Sequence, residues 1–135
     1  MHRCSVIANP HTGDTVGLTL RLSRSVHGLS RSIASLLVPG GSSVLVVGPP
    51  GRGKTTLLRD IARLLADEHD RRVVIVDTTN EIGGEGAVVH RALGRARRMM
   101  VPQRSQQHAY MLEAVQNHTP DVLVIDEIGD AREAA

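Results

Sequence analysis

Three clusters of residues have the types and spacing to do chemistry. Gly48-Pro49-Pro50-Gly51-Arg52-Gly53-Lys54-Thr55 satisfies the pattern G-x-x-x-x-G-K-[ST]. Glycines let consecutive backbone N–H groups turn toward one point, and a helix starting at the end of the loop aims its positive dipole end at that point, so the loop suits a phosphate. In such a loop Lys54 reaches the β- and γ-phosphates of a nucleoside triphosphate, the Thr55 hydroxyl ligates Mg²⁺, and Thr56 lies near the α-phosphate. The expected nucleotide-binding set is therefore Gly48, Pro49, Pro50, Gly51, Arg52, Gly53, Lys54, Thr55 and Thr56. In the second cluster, the apolar run Val122-Leu123-Val124-Ile125 delivers Asp126 and Glu127 at its end, where parallel sheets bind ligands. Asp126 is expected to hold Mg²⁺ through water, and Glu127 to orient or deprotonate an attacking water. The third is Asp77-Thr78-Thr79-Asn80-Glu81. Either of its carboxylates could reach the metal–water shell, and Asp77 could equally cap a strand end through an Asx-type turn.

Positioning these groups calls for strands and helices in alternation. Val44-Leu45-Val46-Val47 predicts a buried strand before the glycine loop. Leu57, Leu58, Ile61, Ala62, Leu64 and Leu65 mark one face of a helix over 54–68, and Val73-Val74-Ile75-Val76 predicts a second buried strand. That spacing suits a right-handed parallel βαβ unit. A helix over 105–117 leads into the third strand, Val122–Ile125. Upstream, 4–9 and 15–22 predict a hairpin, because Val16, Leu18, Leu20 and Leu22 alternate with smaller or polar residues, and a helix is expected over 25–38. Residues 80–103 show no convincing periodicity and are expected to form a long functional loop. The fold class is α/β with a parallel sheet. Residues 1–40 form a hairpin and helix leading into a phosphate-loop core over 41–135.

Composition narrows the function. The chain has 135 residues, 16 Lys+Arg against 14 Asp+Glu, and a net charge of +2. Its only lysine is Lys54. With no Phe, no Trp and a single Tyr, Tyr110, it lacks aromatic platforms for stacking bases, which argues against an RNA-recognition sheet or an OB fold. One cysteine, Cys4, excludes an intrachain disulfide and a cysteine zinc cluster, fits a reducing compartment, and reads as a small apolar filler. No apolar run is long enough to span a bilayer. Thr15 to Arg59 and Gly86 to Leu112 carry no acid, a positive field suited first to a polyphosphate and second to a nucleic-acid backbone.

The runs Val47 to Arg63, Val73 to Ile82, Gly94-Arg95-Ala96-Arg97-Arg98-Met99 and Val124-Ile125-Asp126-Glu127-Ile128-Gly129, in this order, resemble the stage III sporulation protein AA-like ATPases. Gly94 to Arg98 and Gln107 to Gly129 look nearest to their cyanobacterial and plastid branch. The resemblance implies a three-layer RecA/AAA-type core, Mg²⁺-dependent ATP hydrolysis, assembly into hexameric rings, and a location in the cytoplasm or the plastid stroma. By the same likeness Glu81 is a second acid near the γ-phosphate, and Arg95, Arg97 and Arg98 are candidate arginine fingers acting across a subunit boundary. Arg52 stands where relatives usually carry a small apolar residue. In the family fold a further strand lies between the strand before the glycine loop and the strand of Asp126, so the core is expected to be incomplete at Ala135. Members of the branch often continue into a domain that binds single-stranded nucleic acid. Arg104 and His108 have the spacing of that domain's signature, but they fall inside the ATPase core. Two alternatives to a hydrolase are a fragment that binds nucleotide without turnover and an ATP-regulated nucleic-acid-binding module.

Overall fold

The computed structural model describes residues 3–22, 25–38, 41–84, 86, 88–129 and 131–134, the side chains of Arg3 and Arg21 excepted. At the N-terminus, β1 (Arg3–Ala8) and β2 (Thr15–Arg21) pair antiparallel, with Cys4 opposite Leu20 and Val6 opposite Leu18. The Asn9 carboxamide accepts the His11 N–H at 2.9 Å, and Gly13 at φ 77° completes the turn. Paired residues share a face. The hairpin therefore gathers Val6, Leu18 and Leu20 on one side, and all three are exposed.

The sheet that carries the acids has the order β4-β3-β5, all parallel. Its centre, β3 (Val73–Asp77), is buried along its whole length, as a strand covered on both edges and both faces must be. β4 (Arg97–Met100) and β5 (Val122–Ile125) flank it. Successive side chains alternate between faces. Val73 and Ile75 accordingly pack with Ile61 and Ala62 of α2 (Lys54–Arg63) and with Leu65 of the π turn Leu64–Glu68 that extends it. Val74 and Val76 face the other way, onto Ala114 of α3 (Gln107–His118) and onto Val101, which precedes that helix. Each fully buried aliphatic side chain in this helix–sheet–helix sandwich contributes about 1.5–3 kcal/mol. At the sheet's far end Asp121 accepts the Arg72 N–H and its guanidinium, both at 2.8 Å, which ties the starts of β3 and β5 together.

The segment between hairpin and sheet is anchored by a buried acid. Asp60 of α2 accepts the Gly28 N–H (3.2 Å), the Ser30 N–H (2.9 Å) and the Ser30 hydroxyl (2.8 Å), with the Arg63 guanidinium at 3.2 Å. Burial opposes its charge, but these donors outweigh burial and hold its pKa below the usual carboxylate value.

Four expectations need correction. The helix expected over 25–38 is a 3-10 turn, Ser30–Ile33, followed by the single turn α1 (Ala34–Leu37); Pro39 and Gly40, expected to stop it, lie outside the described residues. The run 44–47 forms no strand, and Val44, Leu45 and Val47 are exposed. Apolar sequence alone cannot make a strand without a ladder partner, and among the described residues this run pairs with no strand. The supposed loop over 80–103 holds the 3-10 turn Arg91–Leu93 and β4. Cys4 is exposed on the hairpin.

Candidate functional site

The glycine loop opens α2 as its sequence predicts. Gly51 (φ 73°) and Gly53 (φ 87°) occupy the left-handed region, and Gly53 is the residue from which α2 starts. Lys54 folds back over the loop, its Nζ donating to Gly48 O at 2.8 Å and Pro49 O at 3.0 Å. Beside it lies a cleft of about 390 Å³, walled by Gly48, Arg52, Lys54 and Thr56, with Leu57 and Leu29 as its apolar side.

Hydrogen bonds join this loop to the ends of β3 and β5. The Thr55 hydroxyl donates to Glu81 Oε2 at 3.4 Å. The Glu81 N–H donates to the Thr79 hydroxyl at 3.3 Å, and that hydroxyl donates to the Asp126 carboxylate. Segments far apart in sequence thus converge in the order Thr55, Glu81, Thr79, Asp126. Every side-chain group in this string presents a hydroxyl or carboxylate oxygen, the hard ligand type that Mg²⁺ takes. Thr55 and Asp126, the residues expected to hold Mg²⁺, stand at the two ends of this string. Among the described residues no group of three or more His, Cys, Asp and Glu side chains is arranged to hold a metal.

Asp77 belongs to the scaffold. It is fully buried, and accepts the Ile82 N–H at 3.4 Å and the Gly83 N–H at 2.7 Å. Burial raises its pKa, with those N–H groups and Arg98 working against the rise and the Asp126 charge adding to it. The capping alternative describes its contacts, although the cap spans five and six residues and is not an Asx turn.

The three candidate finger arginines do not converge. Arg98 is buried: its guanidinium donates to Gly84 O at 2.6 Å and Gly86 O at 3.0 Å, and its Nε stands 4.0 Å from Asp77. Its side chain lies so close over Gly83 that no Cβ fits there. Arg98, expected as a finger candidate, thus has its guanidinium engaged within this chain. Arg95 binds Ala66 O, Asp67 and Asp70, and Arg97 donates to His118 O at 3.2 Å. Both lie on the surface. Glu127 is exposed and paired with the Arg104 guanidinium.

Three contributors have no motif to mark them. Arg59, nine-tenths buried on α2, donates from Nε to Ile82 O at 2.8 Å and from Nη2 to Glu81 O at 2.6 Å. Burial lowers its pKa, against the opposing charges of Asp77, Asp126 and Glu81. Gln107, buried at the start of α3, accepts the Thr78 hydroxyl and donates to Glu127 O at 2.8 Å, so one side chain registers both acid-bearing loops. Thr79 bridges Glu81 and Asp126. The signal that could have found Arg59 is a charged residue on the apolar side of an amphipathic helix.

The fold and the site define a class: α/β proteins in which a glycine loop opens a helix beside acids at the carboxyl ends of parallel strands. The sequence profile of the family described as "Sporulation stage III, protein AA" matches residues 14–135, and the chain belongs to that family. It is 57% identical over 134 residues to the Protein SEEDLING PLASTID DEVELOPMENT 1 of Arabidopsis thaliana, covering 99% of this chain and 19% of that one. It is 52% identical over 134 residues to the uncharacterized protein ycf45 of Porphyra purpurea, covering 99% and 23%. Stage III sporulation protein AA of Bacillus subtilis is 29% identical over 123 residues, covering 86% and 39%. The chain therefore spans between 19% and 39% of the length of these relatives. No solved structure matches it. Among the described residues no helix is long and apolar enough to cross a membrane.

Proposed function

We propose that the chain binds ATP with Mg²⁺ at the loop Gly48–Thr56 and hydrolyses it, as part of a ring-forming RecA/AAA-type ATPase. The observation that carries this reading is the string Thr55–Glu81–Thr79–Asp126, which sets two strand-end acids against the first turn of the helix that the glycine loop opens. The loop N–H groups and the dipole of α2 bind the phosphates. Lys54 exchanges its two loop carbonyls for the β- and γ-phosphate oxygens. Bound Mg²⁺ would neutralise charge between those phosphates, with Thr55 and Asp126 as the protein side of its shell. Glu127 takes the proton of the attacking water, for which its carboxylate has to leave the Arg104 pair. Glu81 holds a second negative charge beside Thr55.

Assembly into a ring rests on the resemblance to ring ATPases, with the surface residues Arg95 and Arg97 as its remaining finger candidates. A plastid location rests on the printed name of the Arabidopsis relative. The test is Mg²⁺-dependent phosphate release by the purified chain. It is expected to fall at least ~100-fold in Lys54→Ala and in Glu127→Gln; wild-type and variant rates that coincide contradict the reading.

A further inference from the structure

Arg59 and Thr55 are four residues apart on α2, hence on one face of the helix and one turn apart. Both reach the same residue. Thr55 meets the Glu81 carboxylate, and Arg59 meets the Glu81 carbonyl and the next one along. A guanidinium is a rigid planar fork, so two carbonyls bound to it are fixed in angle as well as distance. The rest of the loop has other anchors: Asp77 holds the Ile82 and Gly83 N–H groups, and Arg98 holds the Gly84 and Gly86 carbonyls. Glu81 itself has the Thr79 hydroxyl as its other backbone partner. Removing Arg59 therefore leaves the Ile82 and Gly83 N–H groups and the Gly84 and Gly86 carbonyls held, and Glu81 on a looser tether.

We propose that Arg59 is a positioning residue for the site: from the helix face that carries Thr55 it fixes the backbone of Glu81, and so sets where the Glu81 carboxylate stands relative to Thr55. This rests on the hydrolytic reading above. Arg59 donates to the Ile82 and Glu81 carbonyls and acts on the site through Glu81. A displacement of the order of 1 Å in a group of this kind costs roughly 100-fold in rate when the group acts in the transition state, and leaves substrate affinity nearly alone.

The test compares wild type, Arg59→Gln and Arg59→Lys, each checked for its thermal transition, by steady-state ATP hydrolysis and by residue-resolved amide exchange. Arg59→Gln is expected to lower kcat at least ~10-fold with KM for ATP within about threefold. Arg59→Lys, which keeps the charge and one donor, is expected to recover part of that loss. The Glu81 amide is expected to exchange at least ~10-fold faster in Arg59→Gln while Val74 to Val76 keep their protection. A folded Arg59→Gln chain with wild-type kcat and wild-type Glu81 exchange overturns the proposal. If Arg59→Gln does not fold, Arg59→Lys decides by the same two readouts, and wild-type values in it overturn the proposal. If the wild type releases no phosphate, the hydrolytic reading fails, and the Glu81 exchange rate then decides on Arg59: acceleration upholds its hold on Glu81, and an unchanged rate overturns it.

Discussion

Asp77 ends β3 and Glu81 lies in the loop that follows, yet one carboxylate is sealed inside the fold and the other stands at the surface beside Thr55. Burial decides what each can do. Asp77→Ala leaves the Ile82 and Gly83 N–H groups without their acceptor inside the fold, and is expected to lower the free energy of unfolding by about 1–3 kcal/mol in a urea titration. Glu81→Gln should leave that midpoint almost unmoved. Equal losses in the two variants would contradict the assignment. The places of the glycine loop at the start of α2 and of Asp126 at the end of β5 were legible because they follow from spacing along the chain. The separate fates of Arg95, Arg97 and Arg98 were not, because the pleat of one strand turns neighbouring side chains to opposite faces. Arg98 goes under Gly83, Gly84 and Gly86, while Arg97 stays at the surface against His118. Which face a loop will cover is a tertiary fact, and the sequence 95–98 carries no mark of it.

The same contrast holds for elements. α2, β3, α3 and β5 fall where apolar periodicity puts them, since each buries a continuous stripe or run. β4 escaped notice because Arg97-Arg98-Met99-Met100 has no apolar run; it is an edge strand held by its ladder to β3 and by the buried Arg98. The run 44–47 erred the other way, with a strand's residues and no partner. One inter-element tie has a testable pH signature. Burial notwithstanding, Ser30, Gly28 and Arg63 hold the Asp60 pKa below its ordinary value, and Arg72 lowers that of Asp121 to about 2. A carboxylate whose folded pKa is depressed stabilises the fold above its unfolded pKa of about 3.9, and that stability disappears as the pH drops through the folded value. Asp77, whose pKa is raised, acts with the opposite sign. Unfolding free energy is therefore expected to decline from about pH 5 toward pH 2, and Asp60→Asn to be less stable at pH 7 with a shallower decline. A slope in Asp60→Asn as steep as in wild type would contradict this tie between α2 and the segment around Ser30.

At the scale of the molecule, a parallel sheet between two helices brings the chemistry to one end. β3 and β5 deliver Asp77, Glu81 and Asp126 at their carboxyl ends, and α2 begins beside them with Gly53 and Lys54. The lone lysine stands on the glycine loop at the start of α2, which agrees with a polyphosphate ligand. The family match covers residues 14–135, and the chain spans 19% to 39% of the length of the relatives named above. The central claim is that a triphosphate is held at the glycine loop through Lys54. Calorimetric titration of ATP with Mg²⁺ into wild type and Lys54→Ala tests it most directly. The account predicts one ATP bound per wild-type chain and an affinity at least ~10-fold weaker in a folded Lys54→Ala; no binding by the wild type, or equal affinity in both, would contradict it.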